Sequence, residues 1–198
     1  FGDYRSPLKF YDGTPVKTKE DWWNRREEIK KKWHELMNPW PLLIANPTIE
    51  YVSKEKRENF IQHMVDVEIA PDHRTIDGYL LVPEKGERPL PAVIVVYYEP
   101  DTGIGMGREG RDFAYQMAKR GFVALSIGMG ASLYYPSKEN AAFQPLSALA
   151  YAASNCYNTL ANLDYVDPER IGILGHSYGG KWAMFASCLY DKFACAAW

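Results

Sequence analysis

From residue 92 to the end of this chain, apolar runs alternate between two periods. Residues 92–98 are almost wholly apolar, the pattern of a central parallel strand covered on both faces. A helix is predicted from about residue 108 to 120, with Phe113, Ala114, Met117 and Ala118 on its inner face and Gly121 at the C-terminal cap. Residues 122–127 read as the next strand. Leu146, Leu149, Ala153, Tyr157 and Leu160 then repeat at helical spacing over residues 145–163, with Pro145 suited to the first turn. The short run 171–174 is a further strand, and Tyr178, Trp182, Phe185, Ala186 and Leu189 mark a helix after it. Another strand begins at Phe193. This β-α-β-α-β-α-β order implies a parallel sheet with helices on both faces, and right-handed crossovers place the C-terminal ends of its strands on one edge. The loop from Glu99 to Gly107, the long loop over residues 128–144 and Ser177 are expected to converge there.

Before residue 92 the pattern differs. Residues 63–70 and 76–82 read as an antiparallel hairpin turning through Pro71, Asp72 and His73. Residues 1–18 read as a polar arm. Thr18 and Asp21 form a capping signal for a helix reaching about Met37, with Trp22, Ile29, Trp33 and Leu36 on a stripe predicted to dock on the domain core. Glu27 with Lys31 and Glu28 with Lys32 are its expected surface pairs. Pro39, Pro41 and Pro47 break the chain afterwards. The division expected is an arm and helical extension over residues 1–62 and an α/β domain over residues 63–198.

Composition narrows the partners. With 46% hydrophobic residues, 24% charged residues and a formal net charge of −2, the chain lacks the basic excess of a nucleic-acid binder. Lys30, Lys31 and Lys32 sit among acids. No stretch approaches the roughly 18 uninterrupted apolar residues of a membrane span. Cys156, Cys188 and Cys195 lie in apolar segments without Cys-x-x-Cys spacing, so buried free thiols are expected.

The chemistry concentrates at Gly175-His176-Ser177-Tyr178-Gly179. A strand before it and a helix after it make a Gly-x-Ser-x-Gly elbow. Ser177 is then held in a strained backbone conformation as a nucleophile, and the Tyr178 N–H faces a substrate oxygen. Gly175 to Lys181 also spells the phosphate loop Gly-x-x-x-x-Gly-Lys, but Trp182 stands where that loop needs Ser or Thr for magnesium. Gly105-Met106-Gly107-Arg108-Glu109-Gly110 matches Gly-x-Gly-x-x-Gly. It begins seven residues after Tyr98, and no acid ends the next strand, so dinucleotide binding is set aside in favour of a flexible loop beside the site.

The segment Val166-Asp167-Pro168-Glu169-Arg170-Ile171-Gly172 running into Gly175-His176-Ser177-Tyr178-Gly179-Gly180 resembles the α/β-hydrolase superfamily. Within it, the chain is similar to esterases of the dienelactone hydrolase and acetyl xylan esterase type. The resemblance covers roughly residues 63–198, and the helix around Trp23-Asn24-Arg25-Arg26 looks like the extension of bacterial members. It implies a serine carboxylic-ester hydrolase with Ser177 as nucleophile, the Tyr178 N–H as one oxyanion donor, and the second donor from Tyr98 or Glu99. Relatives commonly carry His-Gly at the end of the third strand, where this chain has Tyr97-Tyr98-Glu99. The resemblance further implies no metal or organic cofactor, a small-molecule or carbohydrate ester as partner with polysaccharide acyl groups favoured, and secretion or the periplasm as compartment. No nucleic acid or membrane partner is expected, and oligomeric state is left open.

In this fold a catalytic acid and His follow the serine. After Ser177 there is no His and only Asp191 as an acid, while His34, His63 and His73 precede the sheet core and His176 reads as a packing residue. The expectation is a nucleophile-bearing portion of a longer hydrolase, lacking the acid and His and inactive alone. The rivals are a non-catalytic hydrolase-like binding module and a portion of a prolyl-oligopeptidase-like peptidase.

Overall fold

The computed structural model describes residues 4–75, 78–130 and 134–198. The chain divides into two units, Phe1–Trp40 and Pro41–Trp198. Residues 41–62, grouped above with the extension, therefore fall in the sheet unit.

In the first unit, helix α1 (Lys19–Met37) starts where Thr18 and Asp21 require it. Thr18 Oγ1 accepts from the Asp21 N–H at 3.0 Å, and Asp21 Oδ2 accepts from the Thr18 N–H at 3.0 Å, so an aspartate closes the capping box. The expected stripe is not a buried face: Trp33 and Leu36 are exposed, and the buried residues are Arg25 and Met37. The Arg25 guanidinium lies over the Tyr11 ring, 4.3 Å from its centroid. It also pairs with Glu28, which accepts from the Tyr11 N–H as well. Glu28 is thereby taken from Lys32, which pairs with Glu35, and Glu27 pairs with Lys30, so these pairs run at i,i+3 instead of the expected i,i+4.

The second unit is a mixed sheet ordered β1-β2-β4-β6-β5-β7-β8. Its antiparallel part comprises β1 (Ile49–Arg57), β2 (Phe60–Ala70), β3 (His73–Arg74) and β4 (Gly78–Pro83). The predicted hairpin is present as β2 and β4, in register from Phe60 opposite Pro83 to Val65 opposite Gly78. Ile76 lies outside the described residues. Strand β1 was not anticipated; its burial pattern is exposed except at its ends, so its Lys and Glu residues carry no inward alternation to read.

The parallel part follows the predicted order: β5 (Leu90–Tyr97), helix α2 (Pro100–Gly103), α3 (Phe113–Lys119), β6 (Val123–Gly128), α4 (Pro145–Ala161), β7 (Val166–Gly175), α5 (Tyr178–Leu189) and β8 (Cys195–Ala197). β5 is central, paired in parallel with β6 on one side and β7 on the other, and all but one of its residues are buried. The helix expected from residue 108 begins only at Phe113, because Gly110 takes φ +71° and interrupts any earlier turn. At its other end Gly121 takes φ +93°. Its N–H reaches Ala118 O, and the Phe122 N–H reaches Met117 O, which satisfies the last carbonyls.

Helices α4 and α5 pack through Trp182, which has no exposed surface and donates its indole N–H to Leu149 O at 2.6 Å. The long loop after β6 is tied to the β2–β3 turn: His73 Nε2 lies 2.9 Å from Pro136 O. Residues 131–133 of that loop lie outside the described residues. Of the cysteines, only Cys156 is buried, which pushes its thiol up to about 12. Cys188 and Cys195 are free but exposed, contrary to expectation, because both sit on outward positions of their elements. No helix of the described residues is long and apolar enough to cross a membrane.

Candidate active site

β7 ends at Gly175 and α5 begins at Tyr178, so the chain reverses within His176 and Ser177. Ser177 takes φ 58° and ψ −116°, a left-handed conformation that costs a non-glycine residue of order 1–3 kcal/mol and persists only where surroundings impose it. Here they do. A Cβ on Gly175 would stand 2.1 Å from Gly179 O, and one on Gly179 would stand 2.2 Å from Val96 O in β5. The start of α5 thus rests backbone to backbone on the end of β5, and both positions admit only hydrogen. Ser177 is exposed on this turn. Tyr178 opens the helix, so its N–H has no acceptor within α5.

Facing the turn is the segment leaving β5. Ser126 Oγ donates to Pro100 O at 2.8 Å, Tyr79 Oη donates to Asp101 Oδ1 at 2.8 Å, and the Met129 N–H reaches Tyr98 O at 3.1 Å. A Cβ on Gly128 would come within 2.9 Å of Tyr98 O, which is why the β6 end can lie so close. Two ring contacts join this segment to the serine turn: Tyr98 to Tyr178, with centroids 5.8 Å apart, and Tyr97 to His176, stacked at 6.4 Å. Between them opens a cleft of about 680 Å³ whose lining includes Ser177, Tyr98, Glu99, Arg108 and Arg111. The structure therefore brings together all the residues singled out from the sequence, Ser177, Tyr178, Tyr98 and Glu99. A larger depression of about 820 Å³, at Tyr157, Tyr190 and Phe193, contains none of them.

Three of the four histidines are engaged away from the serine turn. His73 places Nδ1 2.9 Å from Pro71 O and Nε2 2.9 Å from Pro136 O; His63 packs edge-on against Tyr51, and His34 against Trp40 in the first unit. His176 is exposed and stacked on Tyr97. Burial lowers the pKa of His63 and of His34. The glycine-rich stretch 105–110 does not open a helix after a strand, because α2 intervenes after β5; it forms the cleft wall. Sequence reasoning placed that loop beside the site but passed over its two arginines. The available signal was two guanidiniums three residues apart on a loop following a strand's C-terminal end.

The same architecture recurs in solved structures. A glucuronoyl esterase from Solibacter usitatus superposes with a TM-score of 0.78 at 18% identity, covering 98% of this chain and 63% of that one. The fold is that of the α/β-hydrolases. An acetyl xylan esterase from Paenibacillus sp. R4, also an α/β-hydrolase neighbour, gives a TM-score of 0.57 at 17% identity, covering 88% of this chain and 56% of that one. In sequence, residues 150–198 match the prolyl oligopeptidase family. The hydrolase-like protein YtaP of Bacillus subtilis (strain 168) is 26% identical over 187 residues, covering 85% of this chain and 60% of YtaP. The chain thus resembles α/β-hydrolases that include esterases, and it spans less than two thirds of the length of these relatives.

Proposed function

We propose that this chain carries the nucleophile of a serine carboxylic-ester hydrolase. The observation that carries the reading is Ser177 itself, exposed at φ 58° on a turn that backbone contacts with β5 leave no room to relax. Its Oγ adds to the ester carbonyl as a base takes the hydroxyl proton; the alcohol leaves with that proton, and an acyl-enzyme remains on Ser177. Water, deprotonated by the same base, adds to the acyl carbon, and the acid departs as Ser177 regains its proton. The Tyr178 N–H and an N–H of Tyr98 or Glu99 stabilise the oxyanion, each worth about 3 kcal/mol in such sites.

Among the described residues no histidine is hydrogen-bonded to Ser177; their contacts are with Pro71, Pro136, Tyr51, Trp40 and Tyr97. By itself the chain is therefore expected to turn over little or nothing. Acylated carbohydrates are the substrate class favoured, in line with the glucuronoyl and acetyl xylan esterases that share the fold. The match to the prolyl oligopeptidase family supports a second reading, peptide-bond cleavage at the same serine.

The test uses the native polypeptide at its natural length. A neutral fluorophosphonate should modify Ser177, located by peptide mass analysis, and aryl acetates should be hydrolysed faster than peptide anilides. An unmodified Ser177 would sink both readings, and faster anilide cleavage would favour the peptidase.

A further inference from the structure

The chain carries a formal net charge of −2, yet the Ser177 cleft is locally basic. Arg108 and Arg111 both line it, against the one carboxylate of Glu99. Among the described residues neither guanidinium pairs with a carboxylate. Acids of the same connection are occupied or turned aside. Asp101 accepts from Tyr79 Oη and Asp112 from Gln116 Nε2, each at 2.8 Å, and Glu109 is absent from the cleft lining.

The loop that presents the arginines is built into the fold. Ile104 is fully buried in the core, Arg57 Nη1 donates to its carbonyl at 2.9 Å, and the Met106 N–H reaches Asp101 O at 3.0 Å. Gly107 passes so close to α2 that a Cβ there would stand 2.8 Å from Thr102 Cα. The end of β5 adds another polar group to the cleft lining: Tyr97 is only 3% exposed, and among the described residues its hydroxyl has no hydrogen-bond partner.

Two unpaired guanidiniums beside a reacting centre are matched by a planar anion, since each offers a fork of N–H donors and sheds its hydration readily. We infer that this cleft selects esters bearing a second, ionised carboxylate on the acyl or the alcohol part, bound by Arg108 and Arg111. The inference rests on the reading of Ser177 as nucleophile. The scissile ester stays neutral; the remote anion orients it.

Two matched pairs of substrates test it on the native polypeptide. p-Nitrophenyl hemiglutarate against its amide-capped isostere places the charge on the acyl side, and 3-carboxyphenyl butyrate against 3-carbamoylphenyl butyrate places it on the alcohol side. At low ionic strength, kcat/KM should favour the anionic member of one pair by roughly tenfold or more, and added salt should erode that preference. The pair that responds identifies the side. Arg108→Gln/Arg111→Gln should abolish the preference and its salt dependence, and Arg108→Lys/Arg111→Lys should partly restore both; circular dichroism confirms that the variants fold. Equal rates within both pairs, or a preference surviving in the glutamine variant, would overturn the inference while leaving the hydrolase intact. If Ser177 resists the fluorophosphonate and no ester is cleaved, the hydrolase reading falls. Calorimetric titration of glutarate and glutaramide into Ser177→Ala protein then judges the charge preference alone, and equal affinities would overturn it.

Discussion

The two walls of the Ser177 cleft are made in opposite ways. On the elbow side, backbone meets backbone: hypothetical Cβ atoms on Gly175 and Gly179 fall 2.1 and 2.2 Å from carbonyl oxygens, so the geometry of Ser177 follows from packing alone. On the arginine side, Gly110 sits at φ +71° with nothing within 4 Å of a Cβ, and the charged side chains around it face the cleft or solvent. The contrast separates a part that must not vary from a part free to vary, as expected when a rigid scaffold carries the reacting atom and a loop chooses the substrate.

The largest effect that would sharpen this contrast is at the serine. Ser177→Ala in the native polypeptide should lower kcat for ester hydrolysis by about 10⁴-fold or more with little change in the unfolding midpoint, checked by steady-state kinetics and urea titration. Gly179→Ala should instead act on stability, by about 3 kcal/mol or more, because the obstacle is the Val96 carbonyl of a central strand and not a movable side chain. Measured in the same titration, Gly110→Ala should cost only about 1 kcal/mol, the strain of a left-handed alanine in open space. Equal costs at the two glycines would erase the distinction between the walls.

A pH effect between these extremes probes the scaffold beneath. Burial holds the Cys156 thiol up at about 12, above its value of 9.0 in the unfolded chain. A raised acid pKa means that the neutral thiol is favoured by folding, so its contribution is complete below pH 9 and is lost as pH rises towards 12. That loss amounts to roughly 4 kcal/mol at most. Alkaline unfolding followed by fluorescence should therefore be shallower in Cys156→Ala than in the parent. A disulfide-exchange reagent should modify exposed Cys188 in the native state while leaving Cys156 untouched until the chain unfolds.

What the sequence disclosed follows the same division. The strand within the run 92–98 and the helix from Tyr178 to Leu189 were legible because their inward positions are buried, and burial restricts residue type; the exposed elbow between β7 and α5 was legible because Gly175 and Gly179 admit no side chain. Strand β1 was not, since an edge strand with polar residues on exposed positions looks like a loop. The start of α3 was misjudged because residues 108–112 carry no apolar position to fix the period, and the positive φ of Gly110 shows only in the coordinates. Ser177 and Tyr178 were singled out by a local motif, and Tyr98 and Glu99 by the family resemblance; the fold brings them to one cleft edge. Arg108 and Arg111 were passed over: their spacing on a loop after β5 was a signal, but their place in the lining of the Ser177 cleft shows only in the fold.

The contact of Gly179 with the Val96 carbonyl has one more consequence. Because α5 and β5 touch with no side chain interposed, any tilt of that strand carries Tyr98, Glu99 and Ser177 along as one body. An engineer could therefore exchange the open stretch 108–111 for a differently charged one and change the charge of the cleft, while Ile104 and Gly107 keep the loop anchored and Ser177 stays in place.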